Sequence, residues 1–325
     1  MRQVEELQKM FLSYLETESF DQPPQELYQP VNYILQLGGK RLRPVLLLMG
    51  ANLFTQNFKN ALPAALAIEI FHNFSLVHDD IMDKAPLRRG QPTVHIRYGQ
   101  NAGILSGDVM LILTYQYLSK LSNPSQLPQI LETFNRLAIE VCEGQQYDMN
   151  FETQSSVEIS DYLRMIELKT SVLIAGALKI GAIIGGGGEK DATELYEFGR
   201  NVGIAFQLQD DILDTFGDPE KFGKKTGGDI VQNKKTFLLL KAMELANESE
   251  KKTLNHWINQ DNGSESEKIN AVTQIYKQLN VQQLATELME RYLLTAFDHL
   301  EAVGVEKSRK NILKKLANQL MMREI

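Results

Sequence analysis

Two copies of an Asp-Asp-x-x-Asp cluster, each closing an apolar helical stretch, constrain this chain more than any other feature. The first, Asp79-Asp80-Ile81-Met82-Asp83, ends a run from Ile68 that contains neither Pro nor Gly. On a helix Asp79 and Asp83 share a face, about 40° apart at roughly 100° per residue, with Asp80 beside them. Three carboxylates so close repel one another unless a cation lies among them. Hard oxygen ligands without Cys or paired His suit Mg²⁺ or Mn²⁺ rather than Zn²⁺. Taken alone, such a cluster also reads as a solvated acidic helix end. The second, Asp210-Asp211-Ile212-Leu213-Asp214, repeats the spacing after the largely apolar run Ile204 to Gln209 and before the Gly217-Asp218-Pro219 turn. Two copies fit solvated faces poorly. They read as two walls of one site around a metal-bound polyphosphate.

The rest of the chain has helical period. Helices are expected at 3–18, from Pro23-Pro24 to Leu37, from about Arg41 through Met49, and at 60–84. Further ones are expected at 101–121, 126–151, 158–185, 191–217, 233–248, 250–261, 265–278, 280–302 and 306–323. The run Val45 to Met49 is apolar on all sides and therefore predicted to be buried. Loops are expected at 85–100 and 217–229, and Gly185–Gly188 reads as a helix stop. No alternating strand and no fixed-period repeat stands out. The expectation is one all-α domain over 1–325, a bundle of long helices around a central cavity.

With 34 basic and 41 acidic residues, the net charge of −7 gives no support to a nucleic-acid surface. Basic residues gather locally instead: Lys40, Arg41 and Arg43; Arg88 and Arg89; Lys221, Lys224, Lys225, Lys234 and Lys235. Local cations in an acidic protein suit a small anionic ligand. One cysteine, Cys142, permits no intrachain disulfide and points to a reducing cytoplasm. Met1 to Leu7 lacks a signal-peptide pattern. Lys179 interrupts the most membrane-like stretch, Ser171 to Gly188, which reads as a buried core helix with no membrane span.

Gly38-Gly39-Lys40-Arg41-Leu42-Arg43-Pro44 puts three cations beside backbone that a ligand can approach, although a basic helix start also reads as surface decoration. Arg88-Arg89-Gly90 offers adjacent guanidinium forks or a solvated loop. Lys169-Thr170 interrupts an apolar helix, where a lysine either meets an anion or snorkels. His72, two turns before Asp79, reads by default as a core histidine. Gln207, one turn before Asp210, sets an amide near the second cluster.

In combination these motifs, in this order over roughly residues 30–240, resemble the trans-type isoprenyl diphosphate synthases of the polyprenyl synthetase family. The resemblance implies two Mg²⁺ on Asp79 and Asp83, with Asp80 supporting. It implies a third, chiefly on Asp210, with Asp211 and Asp214 in its network; Mn²⁺ is an alternative ion. Arg88, Lys169, Lys224 and Lys234 match contacts to an allylic diphosphate. Lys40, Arg43, His72 and Arg89 match the site of isopentenyl diphosphate. Thr170 and Gln207 match positions whose oxygen dipoles face the allylic carbon. Gln232-Asn233 depart from the acidic-Gly pair common before the lysine matching Lys234.

The implied reaction ionises the allylic C–O bond, joins the cation to the isopentenyl double bond, and loses a proton to pyrophosphate. Product length is implied to depend on Phe71, Phe74 and Ser75 below the first motif. Ser75 stands where eukaryotic farnesyl enzymes carry an aromatic, and fifteen to twenty carbons, with twenty favoured, is expected. Both phenylalanines read equally as plain core. A homodimer through 101–121 is implied. A class I terpene cyclase, an HD-type metal phosphohydrolase suggested by His78-Asp79, and a non-catalytic helical partner subunit are the competing readings.

Overall fold

The periodic pattern is realised as helices along nearly the whole chain in a computed structural model that describes residues 2–218, 226–259 and 264–322. By packing, these residues fall into two compact units. One comprises Met1–Ala138, Leu173–Tyr196 and Glu301–Leu313; the other, Ile139–Val172, Glu197–Leu300 and Lys314–Ile325.

The first unit opens with α1 (Val4–Thr17), α2 (Gln25–Gln36), α3 (Leu42–Phe54) and α4 (Leu62–Met82). Every residue of α3 from Pro44 to Leu53 is buried, as its all-round apolarity predicts. α4 is buried from Ala64 through Phe71 and packs against α3 and α6 (Gln100–Leu118). Backbone contact between α3 and the helix Val172–Gly185 explains several glycines. A Cβ on Gly50 would lie 2.5 Å from the Leu178 carbonyl, and one on Gly185 2.6 Å from that of Ala51. The helix stops where Gly186 turns left-handed at φ +85°, so the glycine run is both a close-packing face and a terminator. Lys179 sets its ammonium 5.7 Å from the Tyr196 ring centre, which accounts for a cation in that apolar stretch.

The loop expected at 85–100 is more ordered than its composition suggests. It holds a two-stranded antiparallel hairpin, β1 (Leu87–Arg88) with β2 (Gln91–Pro92), followed by α5 (Val94–Tyr98). Arg89 and Gly90 take φ of 53° and 75°, the paired left-handed conformation that suits the twist of a tight hairpin. Two-residue strands are too short to show an alternating pattern, which is why the sequence hides them.

In the second unit, the helix expected over 158–185 is interrupted. Between the helix Ile159–Ile166 and Val172 lies a wide π turn, Glu167–Ser171. Glycines hold it on both sides. A Cβ on Gly144 would collide with the Lys169 backbone, and one on Gly203 would come within 2.6 Å of the Ser171 Cα. Ser171 Oγ donates to the Ile166 carbonyl at 3.3 Å. Such turns re-aim side chains within otherwise regular helices. The helix expected to begin at 233 begins instead at Phe237, because Gly228–Val231 forms its own short turn of helix first.

Two helical stretches, Lys59–Met82 and Ile159–Gly185, are long and apolar enough to cross a membrane, but both are mostly buried within the protein. Gly181→Val tests the backbone-level packing, because its side chain would strike the Leu47 carbonyl. It is expected to cost about 1–3 kcal/mol or more, read as a lowered thermal midpoint.

Candidate active site

In the first unit, the left-handed hairpin turn separates two adjacent arginines. Arg88 turns inward and forks onto Asp80, with Nε–Oδ2 at 2.8 Å and Nη2–Oδ1 at 2.7 Å. Asp80 is 1% exposed. Burial lowers the Arg88 pKa, the hydrogen bond and charge of Asp80 with the charges of Asp79 and Asp83 raise it, and the raising effects prevail. Asp79 stands half-buried and Asp83 exposed on the same helix end. Asp80 is thus the member of the motif bound by an arginine fork.

Arg89 points the other way. Its guanidinium donates to the Gly38 carbonyl, and a Cβ on Gly39 would lie 2.9 Å from its central carbon. Gly39 therefore makes room for an arginine rather than only for a ligand, and Gly38 supplies the carbonyl it bonds. Of the three cations at 40–43, Arg41 belongs to the core. It is 5% exposed, bonds to Glu69 at 2.5 Å, and also donates to the Leu35 carbonyl. This corrects the reading of that cluster as three cations facing an anion.

Arg43 reaches His72, Nη1 to Nε2, at 3.3 Å, and its buried Nε has no hydrogen-bond partner among the described residues. Burial lowers the Arg43 pKa to about 10; Glu69 opposes this and Arg89 adds to it. Burial also holds the His72 imidazole well below its ordinary value, reinforced by Arg43, Arg89, Arg88 and Arg41. Glu69 and Asp80 answer Arg41 and Arg88. Neither Arg43 nor Arg89 has a carboxylate partner among the described residues. Arg43, Arg89 and neutral His72 therefore form a cationic cluster that feels the charge of Glu69 but holds no ion pair of its own among the described residues, and Lys40 stands exposed on the chain beside it.

Below α4's acidic end, Phe71 is 1% exposed and joins a row of rings. Its centroid lies 5.5 Å from Phe74 and 5.2 Å from Phe134, which in turn lies 5.3 Å from Tyr115. Ser75 donates to the His72 carbonyl at 2.8 Å. His78 packs on Phe74 at 4.9 Å and holds the Ile104 carbonyl at 3.1 Å, so it serves packing.

The second unit gathers Lys169, Thr170, Gln207 and the second motif. The π turn delivers Lys169 to Asp148, Nζ to Oδ2, at 2.6 Å. Thr170 Oγ1 lies 3.4 Å from Gln207 Oε1, and Gln207 Nε2 donates to Asp211 Oδ1 at 3.1 Å. An amide between a hydroxyl and a carboxylate has its orientation set: nitrogen towards Asp211, oxygen towards Thr170. The buried Tyr162 hydroxyl donates to the other Asp211 oxygen. Burial, then the charge of Asp229, pushes the Asp211 carboxyl well up; Tyr162 and Gln207 pull it down. Burial and Asp214 push Asp229 up to about 6, against the pull of Lys234. Asp214 accepts the Asp229 backbone N–H at 2.9 Å, tying the motif to the turn that carries Lys234. Lys234 Nζ lies 3.9 Å from Asp229 Oδ1.

Asn233 takes φ 56°, the left-handed conformation Gly otherwise supplies, so this departure from the family pattern keeps the turn. Lys235 caps the end of the helix Leu127–Thr153 through the Phe151 and Gln154 carbonyls, and is structural. Lys221, Lys224 and Lys225 lie outside the described residues. Asp148, Tyr162, Glu69 and Asp229 were missed from sequence. A lone Glu between Ile68 and Ile70 signals a buried ion pair, and Asp229 follows two glycines; Tyr162 carries no such signal.

Among the described residues, no three His, Cys, Asp or Glu side chains close into a metal cage. Mg²⁺ rarely needs one: it keeps waters and takes one or two carboxylates plus substrate phosphate. The all-oxygen donors of both motifs fit that chemistry.

Residues 24–277 match the sequence model of the family described as polyprenyl synthetase. Geranylgeranyl diphosphate synthase of Methanosarcina mazei is 44% identical over 222 residues, 68% of each chain. Geranylfarnesyl diphosphate synthase of Natronomonas pharaonis is 38% identical over 242 residues, 69% of this chain and 70% of its own. The crystal structure of a geranylgeranyl pyrophosphate synthase matches with a TM-score of 0.95 at 44% identity, over 100% of both chains. An all-α chain of this kind, with two aspartate motifs and cationic turns, is a prenyltransferase. It belongs to the polyprenyl synthetase family, as a trans-isoprenyl diphosphate synthase of the short-chain kind.

Two measurements follow from the charge balance. His72 is expected not to titrate by NMR between about pH 6 and 8, and inorganic pyrophosphate, by offsetting Arg43 and Arg89, should raise its pKa. Because the unfolded imidazole protonates near 6.5 and the folded one resists, this group's contribution to stability is full above that value and is lost progressively as pH falls below it towards the folded pKa. Arg41→Met strands the Glu69 charge and is expected to cost about 3–5 kcal/mol in chemical denaturation.

Proposed function

We propose that the chain extends dimethylallyl, geranyl or farnesyl diphosphate with isopentenyl diphosphate and stops at geranylgeranyl diphosphate, with farnesyl diphosphate as the shorter alternative. The observation that carries this reading is the Arg43–Arg89–His72 cluster, a neutral imidazole beside two guanidiniums without carboxylate partners among the described residues. That is a receptor for a diphosphate that keeps its charge through the reaction, as isopentenyl diphosphate does. Lys40 adds a further cation.

Mg²⁺, three ions in all or Mn²⁺ in its place, would supply Lewis-acid stabilisation of the departing pyrophosphate, held by Asp79, Asp83 and Asp210. Asp80, fixed by Arg88, supports the first motif; Asp211 and Asp214 support the second. Lys169, Lys234, Lys224 and the outer face of Arg88 offer cations to the allylic diphosphate. Thr170 and Gln207 present oxygen dipoles that favour the allylic cation once the C–O bond has broken. The apolar runs Val172–Ile184 and Ile204–Leu208 suit the dry surroundings such a cation needs. The isopentenyl double bond then forms the new C–C bond, and released pyrophosphate accepts the proton. His78 does not act as a metal ligand in this reading, since its ring is committed to Phe74 and Ile104. That disfavours an HD-type phosphohydrolase.

The product limit is assigned to Phe74 and Phe71, with Ser75 leaving more room than an aromatic would. A homodimer through α6 belongs to the same proposal, supported by Leu105 and Ile112, 58% and 65% exposed on that helix. The single cysteine suits a reducing cytoplasm, and the burial of both membrane-length stretches suits a protein that does not span a bilayer.

Product analysis by mass, with Mg²⁺, isopentenyl diphosphate and each primer, tests the reading: elongation stopping at fifteen or twenty carbons supports it. Free hydrocarbon or phosphate with no elongation would replace it with the cyclase or hydrolase. Asp79→Ala and Asp210→Ala are each expected to lower turnover by about a hundredfold or more while circular dichroism stays helical. Ser75→Phe should shorten the product and Phe74→Ala lengthen it.

A further inference from the structure

The sequence offers no motif beyond about residue 240, yet one lysine there reaches the turn that carries Asp229 and Lys234. Lys268 lies on the helix Glu265–Gln278 and is 8% exposed. Burying an ammonium is costly, and lysine is rarely this enclosed unless it holds something in place. Its Nζ donates to Asn233 Oδ1 at 2.6 Å and to the Val231 carbonyl at 3.2 Å. Asn233 in turn donates to the Ile258 carbonyl at 3.0 Å, so the left-handed residue is gripped from two sides. The next residue, Lys234, bonds through its backbone N–H to the Asp229 carbonyl at 2.9 Å, closing the turn. Where the turn begins, a Cβ on Gly227 would lie 2.8 Å from Ile269, the neighbour of Lys268. One small cavity is walled by Asp229, Asn233, Lys234 and Lys268 together.

We infer that Lys268, acting through Asn233, is a positioning residue that sets the direction in which Lys234, beside Asp229, faces the allylic diphosphate. The inference rests on the function proposed above and deepens it. An ammonium suits this task because it bonds a side-chain amide and a backbone carbonyl at once, from a helix outside both aspartate motifs. A left-handed non-glycine residue is strained and persists only where its surroundings hold it, which the clamp does for Asn233.

Lys268→Met, Lys268→Arg and Asn233→Ala are compared by steady-state kinetics, varying the allylic and isopentenyl diphosphates separately, with thermal melting alongside. Lys268→Met is expected to raise KM for the allylic diphosphate about tenfold, leaving that for isopentenyl diphosphate within about twofold. Lys268→Arg should recover most of the loss. Asn233→Ala should reproduce it, and the double variant should be no worse than either single one. An unchanged allylic KM in Lys268→Met, an equal rise in both KM values, or additive losses in the double variant would overturn the assignment. If Lys268→Met does not fold, Asn233→Ala decides by the same split. A wild-type protein that elongates no primer refutes the reaction; one that elongates while Lys268→Met matches it refutes only the role of Lys268.

Discussion

Charges buried on apolar helices have to be answered, and that requirement organises both units of this protein. In the first, Asp80 and Glu69 are each at most 2% exposed and each is met by an arginine, Arg88 and Arg41. Breaking either pair would leave an isolated charge in a low dielectric, which costs far more than the pair contributes. Both arginines sit at or beside left-handed backbone, Arg41 at φ 49° and Arg88 just before Arg89 at φ 53°. The local conformational cost is thus incurred where a fork must be aimed.

With those two pairs closed, what remains is the reactive surplus. Arg43 and Arg89 keep positive charge around an imidazole held neutral, whereas the second unit keeps an excess of carboxylates around Asp211, Asp214 and Asp229. The first unit also carries Asp79 and Asp83, and the second also carries Lys169 and Lys234, so each unit presents groups of both signs. Lys169–Asp148 and the Tyr162–Asp211–Gln207–Thr170 chain hold the second group in a fixed arrangement without neutralising it. Groups preorganised in this way need little reorganisation when charge develops.

Glycine serves packing here more than flexibility. Gly50, Gly181 and Gly185 bring α3 and its neighbour to backbone contact, and Gly144 and Gly203 do the same around the π turn. In that turn a long helix gives up its regular spacing, and it is where Lys169 and Thr170 stand. Periodicity averaged over many residues does not register one extra residue per turn, so the expected continuous helix over 158–185 concealed the feature that aims two site residues.

By itself the sequence determined the all-α class, nearly every helix, the two aspartate motifs and the family, because these depend on period and spacing along one chain. Tertiary structure alone decided how the basic residues divide. Lys40, Arg41 and Arg43 look alike in sequence, yet Arg41 closes a buried ion pair and Arg43 stays available beside His72. Arg88 and Arg89 are adjacent, yet a left-handed turn sends one to a carboxylate and the other across Gly39. Lys234 and Lys235 divide in the same way, one towards Asp229 and the other onto the end of a helix. The physical reason is that a cation's role is set by the partner that its burial brings within reach. For Glu69, Gly38, Phe151 and Asp229 that partner is chosen by the fold, and no local pattern of residues encodes it.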